Sequence, residues 1–186
     1  MGWTSEAKYV EGSAKKQAVK NILEWKEEDR GCEVLKLCQR GSVFYAAIRH
    51  YNKSANEDRV FGAVILTRVD SRHYFNFYHK EMEESMGPNY YDAPESLLAL
   101  LTPTNSKWAN EWRQKCRERA EARKKERSSV YKIRKLPEGT YIKVDYQEGR
   151  LLQVCKYMGK RAYIDWTIRR RMSSNLIARH NWEVVK

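Results

Sequence analysis

Short runs of alternating apolar and polar residues, the signature of half-buried strands, fill most of the chain, and a few segments switch to helical spacing. Trp3 to Val10 reads as a short strand. Gly12 and Ser13 open a helix to about Lys26, with Ala14, Ala18, Ile22 and Trp25 on one face and Ser13 able to cap the free N–H groups. After the acidic turn EEDRG come four strands, roughly Glu33 to Cys38, Val43 to Tyr51, Arg59 to Val69 and His73 to His79. Their short connections predict an antiparallel meander. The third strand, VFGAVILT, is apolar on both faces and belongs at the centre. Asp92 and Glu95 fit a capping box for a helix from Ala93 to Leu101, which Thr102-Pro103 ends.

The next helix, Ser106 to Arg127, has two unlike halves. Trp108, Trp112, Cys116 and Ala120 form one stripe, the pattern of a face packed on a core, and the same stripe continues as Arg123 and Arg127 with Arg119 beside it. Unpaired buried guanidinium groups are costly, so the helix is expected to leave its first domain near Cys116 as a basic arm. Ser128 to Leu136 reads as a polar linker. Strands follow at Thr140 to Asp145, Leu151 to Met158, Arg161 to Trp166 and Trp182 to Val185, with a helical turn at Ser174 to Arg179. The predicted class is α+β: an antiparallel four- to five-stranded sheet with packed helices, a basic helix, then a small SH3-like β-barrel. The corresponding segments are 1–116, 117–136 and 137–186.

Charge sharpens this division. Residues 1–106 hold 14 Lys+Arg against 15 Asp+Glu, 107–127 hold 9 against 4, and 128–186 hold 13 against 5, so the whole +12 excess lies in the arm and beyond. Such asymmetry points to a polyanionic partner. Arg113, Arg117 and Lys124 form one cationic row, with Arg119, Arg123 and Arg127 on the next, and Lys125 adds to the arm. Two adjacent rows can bracket a phosphate backbone, since guanidinium forks grip phosphate oxygens in pairs. Arg169, Arg170 and Arg171 supply a second cluster. The alternative is a solvated charged helix between two domains.

No catalytic signature accompanies these residues. The chain has no G-x-S-x-G elbow, phosphate-cradling loop or H-E-x-x-H. Cys32 and Cys38 are not at zinc-knuckle spacing, and His73 and His79 would lie about 20 Å apart on a strand, so no metal or cofactor is expected. Glu81, Glu83, Glu84 and Asp92 could hold a divalent cation for an enzyme, against the plainer reading of an acidic loop plus a helix cap. Tyr74 and Tyr78 have the spacing of a base-stacking platform but lack its motif context. The four cysteines show no framework spacing, and neither a signal peptide nor an apolar run of about 18 residues is present, which predicts reduced thiols in a cytoplasmic protein.

The opening MGWTS, the strand RGSVFYAA, the block YFNFYHKEMEESMGPNYYDAPESLLALLTPTNS with its sequel WANEWRQKCRE, and the ending LPEGTYIKV, VCKY and NWEVV resemble an uncharacterised family carried by phages, plasmids and conjugative elements of gut bacteria. The resemblance assigns no catalytic residues. It implies a bacterial mobile-element setting, in which a small binding protein could act as an anti-CRISPR-like counter-defence inhibitor. Such a protein would engage a nuclease complex or its nucleic acid through the basic helix and barrel. A plain DNA- or RNA-binding accessory protein is the alternative expectation.

Overall fold

In the computed structural model, the alternating run of residues 32–81 becomes an antiparallel sheet. The structure describes residues 4–9, 32–52, 56–69, 74–82, 90–147 and 149–185. The helix expected from Gly12 to Lys26, the residues His73, Glu83 and Glu84, and the side-chain faces expected for 74–78 lie outside the described residues. The chain divides into two units, Met1–Ala120 and Glu121–Lys186.

The first unit contains β1 (Thr4–Tyr9), β2 (Cys32–Arg40), β3 (Val43–Asn52), β4 (Glu57–Val69) and β5 (Tyr74–Glu81), in the order β1-β5-β4-β3-β2. β4 is central, as its two-sided apolar pattern requires. Phe44, Ala46 and Ile48 of β3 pack with Phe61, Ala63 and Ile65 of β4 on one face, while Tyr45, Ala47 and Val64 point to the other. That second face is covered by α1 (Glu95–Leu98), through Leu97 and Leu98, and by Trp112 and Cys116 of the long helix α2 (Lys107–Lys135).

Trp112 lies flat enough on the sheet to need a glycine beneath it. A Cβ at Gly62 would stand 3.0 Å from Trp112 Cζ3 and 3.3 Å from Leu101 Cδ1. The indole N–H donates to the Tyr90 carbonyl at 2.9 Å, satisfying the one polar atom the ring buries. Thr102 completes β4 where β5 ends: its N–H donates to the Val60 carbonyl at 2.9 Å, and its Oγ1 accepts from the Val60 N–H at 2.7 Å. The capping box expected from Asp92 and Glu95 does not form. Pro94 is the N-cap of a four-residue α1, with no side-chain cap, and both carboxylates turn to arginines of α2.

The second unit contains the C-terminal part of α2, then β6 (Tyr141–Val144), β7 (Arg150–Tyr157), β8 (Lys160–Asp165), β9 (Arg170–Met172), α3 (Ser174–Ala178) and β10 (Trp182–Val185). The sheet order is β10-β6-β7-β8-β9, all antiparallel. This corrects the expected SH3-like barrel. Closure would require β10 and β9 to pair, and among the described residues they remain the two open edges. Helices close the core instead: Ile133 of α2 and Ile177 of α3 are fully buried with Ile142, Val144, Leu152 and Val154.

Residues 128–135, expected as linker, continue α2 as helix. Their polar composition conceals an inward series of Ser129, Ile133 and Leu136. Trp182 Nε1 donates to Ser129 Oγ at 2.6 Å, and Tyr163 Oη donates to the Ile133 carbonyl. Arg161 Nη1 donates to the carbonyls of Arg134 at 2.8 Å and Leu136 at 2.7 Å. Those last bonds satisfy carbonyls that a helix C-terminus leaves without partners. Ser173 caps α3 by accepting from the Leu176 N–H at 3.1 Å.

Two tests of this packing follow from the first unit. Replacing Gly62 with Ala should destabilise by about 1–3 kcal/mol through overpacking, and Trp112→Ala by about 3–5 kcal/mol, both read from urea unfolding midpoints. Burial also raises the Cys116 thiol from its ordinary 9.0 to about 12, and the Tyr45 phenol from 10.0 to about 12. Raised values in the folded state mean that the folded protein holds these protons longer. Their contribution to stability is full below pH 9 and is lost as pH rises toward 12. Urea titrations between pH 8 and 11 should show falling midpoints, shallower in Cys116→Ala than in the parent.

Candidate functional site

Helix α2 carries most of the arginines singled out in the sequence, and its surroundings sort them. Arg113 is only 8% exposed and belongs to the core side of the helix, so it is no surface contact. Arg117 donates to Glu95 through Nε and Nη2, with distances of 3.0 to 3.2 Å. That pairing raises the Arg117 pKa further, so the group stays cationic at every working pH. Arg119 Nε lies 2.8 Å from Asp92 Oδ1, and Lys115 pairs with Glu111 one turn away. Lys115, Arg117 and Arg119 each face their own carboxylate. An approaching phosphate would have to displace the carboxylate and would be repelled by it, even though such exposed pairs are worth only about 0.2–1 kcal/mol.

From Glu121 onward the balance changes. Residues 121–135 hold seven Lys+Arg against Glu121 and Glu126, and Glu126 is taken by Arg179 Nε at 2.8 Å. Arg123, Lys124, Lys125 and Arg127 are exposed. Among the described residues no carboxylate pairs with Lys124, Lys125 or Arg127. Arg123, Arg127 and Arg134 line a groove of about 470 Å³ with Glu126, Val130, Tyr131 and Asn175. Arg134 Nε is held by Ser174 Oγ at 3.1 Å, which fixes the guanidinium at the groove wall. The second unit as a whole carries 17 Lys+Arg against 7 Asp+Glu, a net +10 of the chain's +12.

Arg169, Arg170 and Arg171 do not line that groove. They form the end of the β8–β9 turn and the start of edge strand β9, where Arg170 opposes Asp165 and Arg171 opposes Ile164. Asp165 is buried and holds the turn by accepting from the Thr167 N–H at 3.0 Å. Arg171 stacks 4.8 Å from the Tyr157 ring centroid, and Arg169 sits at φ 49°, a left-handed turn position. All three arginines are exposed. The second cluster is therefore real as a surface feature but separate from the groove.

Of the acidic residues considered for a cation site, only Glu81 and Asp92 are described. Asp92 pairs with Arg119, Glu81 ends β5, and among the described residues no group of three or more His, Cys, Asp or Glu is placed to hold a metal ion. The cysteines are free, and burial leaves Cys116 protonated at neutral pH. Tyr131, Arg134 and Asn175 were not identified from the sequence. Tyr131 lies one turn beyond Arg127, and reading 128–136 as linker removed the helical spacing that joins them. No helix among the described residues is long and apolar enough to cross a membrane.

Residues 103–147, which hold all of α2 and the whole of β6, match a domain of unknown function, DUF6927. No curated protein and no solved structure matches the chain.

Proposed function

We propose that this chain is a non-enzymatic nucleic-acid-binding protein that grips phosphates with the second half of α2. Lys124, Lys125 and Arg127 lie at the centre of the contact, Arg123 and Arg134 beside them. The observation that carries this reading is the contrast along one helix. Arg117 and Arg119 are matched by Glu95 and Asp92, whereas the turn that follows is exposed and cationic within a unit of net charge +10. Phosphate backbones are recognised by such clusters through charge-assisted hydrogen bonds and counterion release. The β8–β9 arginines provide a second contact of the same chemistry.

The setting implied by the family resemblance, a bacterial mobile element acting in the host cytoplasm, is the finer part of this proposal. The anti-CRISPR-like mode assigned part of the engagement to a barrel, which the open sheet removes. What is kept from it is the nucleic acid; a nuclease complex is distinguished by experiment. Fluorescence anisotropy with DNA and RNA probes across a salt series should show affinity falling steeply with salt. The combined variant Arg123→Gln, Lys124→Gln, Lys125→Gln, Arg127→Gln should weaken binding and flatten the log–log slope by about 0.9 per lost duplex contact. The pair Arg117→Gln, Arg119→Gln should change the slope far less. Equal slopes for the two variants, or a salt-insensitive complex with a purified nuclease and none with nucleic acid, would contradict the proposal.

A further inference from the structure

We infer, resting on that reading, that the groove beside α2 is built for single-stranded nucleic acid, with one base stacked on Tyr131. Phosphate binding alone does not explain this side chain. Tyr131 is 64% exposed, more than any other aromatic among the described residues, and it stands on the wall of the 470 Å³ groove. Its ring is framed by cations: Arg127 and Lys135 lie one turn before and after it, and Lys135 Nζ is 5.5 Å from the ring centroid. A flat ring between two backbone-gripping cations is the arrangement in which a base meets a π-face while flanking phosphates meet charge. Asn175, which also lines the groove, offers an amide that can both donate to and accept from a base edge.

The choice between strand forms follows from what each form exposes. A duplex stacks its own bases and offers the groove only phosphates and sugar, leaving Tyr131 without a role. A single strand offers phosphates and open base faces together, and the groove volume lies within the range of small-ligand sites. The same pairing recurs on the hairpin. Trp166 is 56% exposed and anchored by its indole N–H to Gln153 Oε1 at 2.7 Å, and Tyr157, elsewhere on the same hairpin, carries the Arg171 guanidinium. Tyr131 with Lys135 and Tyr157 with Arg171 each join an exposed ring to a cationic side chain in a sequence-tolerant chemistry, so a preference for base identity is not expected.

The test uses the full chain with a fluorescein-labelled oligo(dT) of about 20 nucleotides and a duplex of the same length, at one fixed salt concentration. Tyr131→Ala should weaken oligo(dT) binding by about 5- to 150-fold, the range for losing one base stack. Tyr131→Phe should retain wild-type affinity, and duplex binding should be nearly the same in all three proteins. Far-ultraviolet circular dichroism checks that the variants are folded, which the exposure of Tyr131 favours. If Tyr131→Ala binds oligo(dT) as tightly as wild type while the four-Gln variant is weakened, stacking is wrong and phosphate binding stands. If wild type binds neither probe, both readings fail together.

Discussion

The seat of Trp112 on Gly62 sets the phase of helix α2 in the first unit, and the electrostatic pattern follows from it. With the indole turned to the sheet and its N–H on the Tyr90 carbonyl, Cys116 one turn later is also buried. Arg117 and Arg119 then flank the buried stripe, where Glu95 and Asp92 meet them. A helix rotated by one residue would bury a charge or lift the tryptophan off its glycine. Those carboxylates are therefore better understood as partners that neutralise one stretch of the helix than as a cap or a metal site.

Past Ala120 a second set of inward positions takes over, led by Ile133 and supported by Ser129 and Leu136. Between the last buried residue of one half, Cys116, and the first partly buried residue of the other, Glu126, every residue is exposed. Nothing about helix propensity requires charge there. Any long, soluble side chain would serve, and alternating signs would pair along the helix. Past Glu118 the stretch instead has Arg123, Lys124 and Lys125, followed by Arg127, against Glu121 and Glu126. An excess of one sign costs self-repulsion, which a polyanion relieves.

Much of the fold was legible because it depends on local alternation. The strands of the first sheet, the central place of VFGAVILT and the packing of Trp112 with Cys116 all follow from which residues avoid water, whereas Trp108 and Ala120 of the same expected stripe are exposed. Three features were not legible for stated reasons. Residues 128–135 are polar, and their helical phase shows only once Trp182 and Tyr163 are seen to bond to them. The three-residue strand β9 is written in arginine, which hides its pairing with β8. Barrel closure depends on whether distant edges meet, which no local pattern encodes; here Ile133 and Ile177 cover the core and the sheet stays open. For the candidate site, the sequence located the positive charge but not its pairing. Arg113 is buried, Arg117 and Arg119 face carboxylates far away in sequence, and Tyr131 was missed with the helical phase that carries it.

We propose that polyanion binding is confined to the exposed cations of the second unit. Hydrogen–deuterium exchange on the full chain, with and without saturating oligo(dT), tests it most directly. The account predicts protection over residues 121–135 and 166–172, with residues 90–116 unchanged. Protection centred on 90–119, or none anywhere despite saturation, would contradict it.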